Sequence, residues 1–267
     1  MAKITQEARE LFTTMMTPHK DEIDKILEKE KTILLALHDG DVSNGYKRLM
    51  LAEDMIHAST IYLIINNLSL EILETKNTDA LNEGRKILYK AIIYLEETVT
   101  NLIDAPYSEY EKDVQKIENT PLSKRYDLIR KIGLAIRLIM DAYGDNTKWK
   151  WSFVELEARF ATVAKNLIDL KETIKIQFDP RHTDHDIAFY YLKLVKKLLL
   201  DASNGYRDKY ELSTHRADDI RLSINYLIAL RRIHILLEES EDAEEVKKRA
   251  VVIKSKMEFD QKKGICK

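Results

Sequence analysis

The chain has 267 residues, of which 45% are hydrophobic and 33% are charged, so it is long enough to bury a sizeable core. The 43 Lys and Arg residues nearly balance the 45 Asp and Glu residues, and the formal net charge is -2. This balance excludes a global electrostatic attraction to nucleic acid or to an acidic membrane. The low content of Gly 7 and Pro 4 favours helices.

The single cysteine, Cys266, excludes an intramolecular disulfide and a cysteine-based metal site. No stretch reaches the roughly 18 to 20 apolar residues that a membrane-spanning helix needs, so no transmembrane segment is predicted. The N-terminus lacks the continuous apolar run of a secretion signal. A cytoplasmic protein is the default expectation, and export to a periplasm or beyond stays open if a signal has been removed from a longer form.

Two helices, separated at Pro18, are predicted at the start of the chain. Residues 1–17 carry an amphipathic pattern and are expected to form a short helix. Thr17 and Pro18 resemble an N-cap followed by proline at the first helical position. A second helix is therefore predicted to begin there and to end near Leu37.

The next long helix is predicted between Gly45 and Leu73, because its apolar residues recur at three- and four-residue steps. Ser59 and Asn66 interrupt this apolar face and are expected to set the helix register. Further breaks are predicted near Lys76, Asp104 and Pro121, and each separates two amphipathic segments.

A heptad seam then dominates the chain between Lys148 and Ile176. Apolar residues at alternating four- and three-residue steps predict one long helix of roughly 40 Å, at about 1.5 Å per residue. The seam residues are Trp149, Phe153, Leu156, Phe160, Val163, Leu167, Leu170 and Ile174. Other helices are expected to pack along this helix.

The remaining segments are separated by predicted turns at Pro180, at Asp201–Gly205 and at Glu239. Residues 260–267 are expected to form a mobile tail. No alternating strand pattern is present. The sequence therefore predicts an all-α fold, an elongated up-and-down antiparallel bundle of long helices with short connections, formed by residues 1–267 as a single domain.

A four-residue repeat suggests where a contact surface could lie. Ser43–Tyr46 recurs at Ser203–Tyr206, and looser versions follow Asp104 and Asp141. If successive helices are antiparallel, these turns lie at one end of the bundle. That end would collect eight aromatic residues: Tyr46, Tyr107, Tyr110, Tyr143, Trp149, Trp151, Tyr206 and Tyr210. They are expected either to plug the core or to form a protein-contact surface.

No catalytic, cofactor-binding or metal-binding residue is predicted, and no cofactor is implied. Asp54 and His57 share one helix face, but the second Glu-x-x-His motif of a bundle di-iron site is missing. His182 and His185 lie in a short run that is better explained as a helix start. His234 is expected to be a hydrogen-bonded, half-buried residue on its seam.

The segment 247–263 is rich in lysine and offers a possible nucleic-acid or anionic-surface helix. The last segment as a whole carries acidic residues first, from Glu238 to Glu245, and basic residues later, and the helix dipole is the stronger explanation of this order. Nucleic acid and membrane surfaces are therefore not favoured as partners.

Long apolar seams without a catalytic set favour a non-enzymatic structural or scaffolding protein that acts by protein–protein contacts or self-association, for example within a larger assembly. The first alternative is a bundle enzyme or small-molecule binder whose metal site combines distant residues such as Asp54, His57, His182 and His185. The second alternative is nucleic-acid or anionic-surface binding through the basic C-terminal helix.

Overall fold

A computed structural model describes residues 4–38, 40–145 and 147–266. The chain is 80% helical, and the described residues contain no strand. Neighbouring helices pack closely, which confirms the predicted all-α helical bundle. Residues 1–3 and 267, which belong to the predicted segments 1–17 and 260–267, lie outside the described part, as does Asp39 in the first predicted loop.

Ten α-helices are found among the described residues, and a short π-helix over Tyr210–Thr214 follows the eighth. The α-helices, in chain order, are α1 (Gln6–Leu35), α2 (Asn44–Leu73), α3 (Thr78–Thr98), α4 (Tyr107–Gln115), α5 (Leu122–Tyr143), α6 (Lys150–Asn166), α7 (Leu170–Gln177), α8 (His185–Lys209), α9 (Ala217–Leu236) and α10 (Ser240–Lys262).

The chain divides into two compact units. The first contains Met1–Thr98 and Leu128–Thr147, and the second contains Val99–Asp127 and Lys148–Lys267. Helix α5 contributes residues to both units. The single domain expected over residues 1–267 stays a prediction.

In the first unit, α2 packs against α1 and α3. Ser59 and Asn66 are fully buried on α2, and their role in setting the helix register stays a prediction. The Asn66 side-chain oxygen accepts a hydrogen bond of 3.0 Å from the backbone N–H of Asn77, so it holds the turn that leads into α3. By length and composition, α2 is also apolar enough to cross a membrane, contrary to the sequence-based expectation. A buried core helix meets the same criterion, and 39% of that apolar window is buried inside the protein.

The predicted helix break at Pro18 is wrong, because α1 continues through this residue. Proline lacks the N–H for an internal helix hydrogen bond and normally destabilises a helix interior. Here residues on both sides of Pro18 pack on one apolar cluster, and this shared packing keeps the two halves in line. Phe12 and Met16 precede the proline, and Ile23 follows it within the cluster.

The predicted single helix over 148–176 is also wrong, because α6 ends at Asn166 and α7 begins at Leu170. Two polar side chains stabilise the break. Asp169 caps α7 by accepting a hydrogen bond of 3.0 Å from the Glu172 N–H. Buried Arg125 donates to the Leu167 carbonyl at 3.0 Å. Capping residues therefore end a helix that the apolar pattern alone would continue.

The predicted turn at Asp201–Gly205 is a third error, since this stretch lies inside α8. The chain turns about ten residues later, after the π-helix, where His215 adopts a positive φ of 50°. Asn44 and Gly45 begin α2, so the two copies of the repeat are not equivalent turns. The argument that placed all four turns at one end of the bundle therefore fails.

The C-terminal boundary also differs from the expectation, because α10 includes residues 260–262 of the predicted tail. Asp260 is 5% exposed and accepts a hydrogen bond of 2.9 Å from the Tyr210 hydroxyl. The N–H groups of Ile265 and Cys266 donate to the Asp260 carbonyl. Residues 260–266 are thus tied to the second unit.

Candidate protein-contact groove

A groove lies on the second unit where α8 and α10 both pack against α9. Leu227 of α9 is 2% exposed and lies at the base of this groove. The cavity volume is about 450 Å³, which is within the usual range of binding sites, roughly 300–1,000 Å³. We call this feature the α8–α10 groove.

One stripe of α8 lines the groove and consists of Leu200, Ser203, Asn204 and Arg207. Their spacing of i, i+3, i+4 and i+7 places them on a single helix face. The buried Ser203 hydroxyl lies 3.0 Å from the hydroxyl of Ser223 on α9, which joins the two helices below the groove. The partly exposed Asn204 amide makes no hydrogen bond to the described residues.

The facing stripe belongs to α10 and consists of Glu245, Lys248, Arg249, Val252 and Ile253. Arg249 donates a hydrogen bond of 2.6 Å to Glu245. The Lys248 ammonium has no carboxylate partner among the described residues. Val252 is 68% exposed, so it offers an apolar surface that the rest of the unit leaves uncovered.

The lining of the groove carries an excess of positive charge. Among the described lining residues, Arg207, Lys248 and Arg249 are cations and Glu245 is the one carboxylate. Arg207 pairs at 3.0 Å with Asp208, which is not part of the lining. Lys248 is therefore the cation most available to an acidic group.

The opposite side of α8 is closed by packing. A Cβ atom added at Gly205 would lie 3.1 Å from a methyl group of Val154 on α6, so α6 and α8 approach closely there. Tyr206 is 6% exposed, and its ring stacks on that of Tyr226 with centroids 6.0 Å apart. The same helix thus has one closed and one open side.

The second unit also buries a cation that the sequence pattern did not indicate. Lys165 is 8% exposed, and its Nζ donates to the Asn166 side-chain oxygen at 2.6 Å and to the Tyr110 hydroxyl at 3.3 Å. Burial, with a smaller contribution from nearby Arg232, lowers the pKa of Lys165 to about 8. Its position on the heptad-patterned α6 gave no sign of this, because lysine is ordinarily a solvent-facing residue.

The eight predicted contact aromatics are divided between the two units. Tyr46 and Tyr143 belong to the first, and the other six belong to the second. Three are buried and offer no surface: Tyr110, Tyr206 and Tyr210. The other five are partly buried: Tyr46, Tyr107, Tyr143, Trp149 and Trp151. Their role in partner contact stays a prediction.

Several of these hydroxyl groups have partners inside the protein. Tyr143 donates to the Asn82 side-chain oxygen at 2.7 Å, and Tyr107 donates to Asp169 at 3.0 Å. Burial, together with the bond to the Asp169 carboxylate, raises the pKa of Tyr107 well above its usual value. These rings are therefore neutral anchors of the fold near neutral pH.

The residues weighed as metal ligands are also accounted for by local contacts. Asp54 forms an ion pair of 2.7 Å with Lys29, and His57 lies 2.8 Å from Glu22. His182 accepts a hydrogen bond from the Asp184 N–H at 3.1 Å. His185 Nδ1 lies 3.2 Å from the Ile176 carbonyl. Asp54 and His57 belong to the first unit and the other two histidines to the second.

His234 is hydrogen-bonded, as expected, but it is buried and not half-buried. It belongs to a group that sequence spacing did not reveal. Its Nδ1, one oxygen of Glu239 and one of Asp242 all lie within 4.8 Å of one another. The α9–α10 turn assembles them, because Glu238 takes a positive φ of 60° and the Glu239 N–H bonds the His234 carbonyl. Lys196 donates to both Glu239 oxygens at 2.6 and 2.8 Å.

The Glu239 carboxylate is held in its charged form by this arrangement. Burial acts to raise its pKa, but hydrogen bonds from Lys196 and His234 outweigh this effect, so the pKa lies below its usual value. The Lys196 ammonium therefore already neutralises the Glu239 carboxylate, which would otherwise be available to a metal ion.

The sequence did contain one signal for the groove, which the predicted turn at Asp201 obscured. Leu200, Ser203, Asn204 and Arg207 follow helical spacing across that supposed turn. The convergence of this stripe with the one on α10 requires the three-dimensional packing of α8, α9 and α10.

Comparison with known proteins gives one match. No curated protein and no solved structure matches this chain. A family model does match, over residues 8–261, which is nearly the whole sequence. The chain therefore belongs to the TP0443 family.

Proposed function

We propose that the chain is a non-enzymatic helical scaffolding protein that acts through protein–protein contacts, and that the α8–α10 groove is its contact site. One observation carries this proposal: the Asn204 amide and the Lys248 ammonium, both without a partner among the described residues, line the same groove as the exposed Val252. Uncovered apolar surface beside polar groups is typical of a protein interface.

The chemistry of the lining favours binding over catalysis. No imidazole or thiol is found among the described lining residues, and the Ser203 hydroxyl is already bonded to Ser223. A nucleophile needs a positioned base, which these residues do not supply. The groove also lies on regular helices, which hold its two stripes at fixed positions for a partner.

Two adjacent valines on α10 provide a matched test. Val252 lines the groove, whereas Val251 is 56% exposed and does not line it. We expect Val252→Asp to abolish the specific, stoichiometric complex that the full-length protein forms in an extract of its own cells, because the carboxylate interrupts the apolar lining. Val251→Asp should leave that complex intact. Pull-down with light scattering would measure both, and equal behaviour of the two variants would reject the proposal.

A metal site at His234, Glu239 and Asp242 is the second candidate, because three ligand atoms lie close together there. Imidazole and carboxylate ligands suit Zn²⁺ or Mn²⁺. The Lys196 ion pair counts against it. Elemental analysis of purified protein would show a stoichiometric metal if this candidate is correct, and the metal would be lost in His234→Ala.

A further inference from the structure

We infer that the α8–α10 groove binds an amphipathic helix of a partner protein, with an apolar ridge and acidic residues beside it. This inference rests on the proposed function and specifies the partner's chemistry. Its basis is the combination of an apolar base, two helical stripes and a cation that has no carboxylate partner among the described residues, all lining one groove.

The dimensions of the groove fit a helix. Its α8 stripe extends from Leu200 to Arg207 and its α10 stripe from Glu245 to Ile253. At about 1.5 Å per residue, these stripes are roughly 10–12 Å long, which corresponds to about two helical turns. An amphipathic helix presents apolar residues at i, i+3, i+4 and i+7 over that length, and such helices bind in apolar grooves between other helices.

The charge of the lining specifies acidic neighbours for that apolar ridge. Three cations face one carboxylate, and Arg249 already uses Glu245 as its partner. Lys248 is exposed and unpaired within the described residues, so a Glu or Asp on the partner would complete its ion pair. The Asn204 amide on the facing stripe offers both a donor and an acceptor to a polar residue of the same helix.

Surface shape favours a helix over an anionic membrane. Leu227 lies at the base of the groove and is 2% exposed, so a ridge must enter the groove to reach it. A flat lipid surface would contact the rims alone. The cations elsewhere on α10 are also largely paired within the helix, as in the ion pairs of Lys247 with Glu244 and Lys256 with Asp260.

Stapled peptides test this inference with the full-length protein. The first peptide has about 16 residues, Leu at i, i+3, i+4 and i+7, and Glu beside this face, and the staple is needed because short helices are marginal in water. A second peptide carries Lys in place of Glu. A third has the composition of the first in an order that removes the apolar face. Fluorescence anisotropy measures binding of each.

We expect the Glu peptide to bind the wild type and the scrambled peptide not to bind. Lys248→Glu should weaken binding of the Glu peptide by about threefold or more and strengthen binding of the Lys peptide. The change removes an exposed ion pair of about 0.2–1 kcal/mol and adds a like-charge repulsion of similar size. Val252→Asp should weaken binding of the Glu peptide by at least about tenfold. Val251→Asp should change the affinity for this peptide by less than about twofold. Circular dichroism of each variant verifies its fold.

Equal binding of the Glu and Lys peptides, or binding of the scrambled peptide, would overturn the inference. The same holds if vesicles of anionic phospholipid bind the protein and displace the Glu peptide. If no peptide binds but Val252→Asp alone still abolishes the natural complex, the inference fails and the proposed function stands. If Val252→Asp and Val251→Asp both retain that complex, the proposed function fails.

Discussion

The two sides of α8 differ sharply although they are built from neighbouring residues. On the closed side, Gly205 allows α6 to approach and Tyr206 stacks on Tyr226 in the core. On the open side, Asn204 and Leu200 line a groove that the described residues leave uncovered. Adjacent residues on a helix point about 100° apart, so one helix can serve the core and a binding surface at once.

This difference separates two kinds of expected mutational effect. Closed-side residues contribute mainly to the free energy of unfolding, since their replacement leaves cavities or clashes. Under the proposed function, open-side residues contribute mainly to binding. The following changes at α8 and its groove test this separation, and a change at the buried Lys165 of α6 accompanies them, from the largest expected effect on stability to the smallest.

Tyr206→Ala should lower the free energy of unfolding by about 3–5 kcal/mol, as is usual for the loss of a large buried ring. Urea unfolding followed by circular dichroism would measure it. Tyr190 of the same helix is 54% exposed and provides the control. Tyr190→Ala should lower the free energy of unfolding by less than about 1 kcal/mol. Similar costs for both variants would contradict the assignment of Tyr206 to the closed side.

Lys165→Met tests the buried cation through pH. The folded pKa of Lys165 is lowered to about 8, below its unfolded value, so the unfolded chain binds more protons above that pH. Stability due to this group therefore rises as pH increases from about 8 toward 10. We expect the stability of the wild type relative to Lys165→Met to increase by about 1–2 kcal/mol between pH 7.5 and 9.5. A constant difference across this range, measured by urea unfolding, would show that the amine has an ordinary pKa.

Gly205→Leu should lower the free energy of unfolding by about 1–2 kcal/mol. The clash with Val154 exceeds the gain in helix propensity from replacing glycine. Asn204→Leu places a leucine at the preceding position, which lies on the open side of α8. It should change the free energy of unfolding by less than about 0.5 kcal/mol. A cost at Asn204 as large as that at Gly205, in the same unfolding assay, would remove the distinction between the two sides.

The double variant Asn204→Ala, Lys248→Ala should have the smallest effect on folding, within about 0.5 kcal/mol, because neither side chain bonds to the described residues. Binding of the stoichiometric complex should nevertheless weaken by at least threefold, by roughly the energy of one ion pair and one hydrogen bond. Isothermal calorimetry with the purified partner would measure this change. Unaltered affinity would exclude these residues from the contact.

The sequence predicted the helical class and many core positions because apolar spacing follows the helix period. Phe153, Leu156, Phe160 and Val163, predicted as seam residues, are all buried on α6. The predictions from sequence were wrong where contacts between residues distant in sequence determine whether a helix continues or ends. Pro18 was predicted to begin a second helix, yet packing on both sides of it continues α1.

The candidate site was harder to predict than the fold. The repeated Ser-Asn-Gly-Tyr begins a helix after Asp41 in one copy and lies inside α8 in the other, so local sequence did not distinguish a turn from a helix interior. The groove further depends on α10, more than 30 residues away in sequence, packing against the same helix as α8. No local pattern encodes that pairing.

Photo-cross-linking at two neighbouring positions tests the groove most directly. A photoreactive amino acid is placed at Val252 in one protein and at Val251 in another, and each is irradiated within the native complex. The account predicts that position 252 cross-links to a helical, acidic segment of the partner and that position 251 does not. Equal cross-linking from both positions, or cross-linking from 251 alone, would contradict a partner seated in the α8–α10 groove.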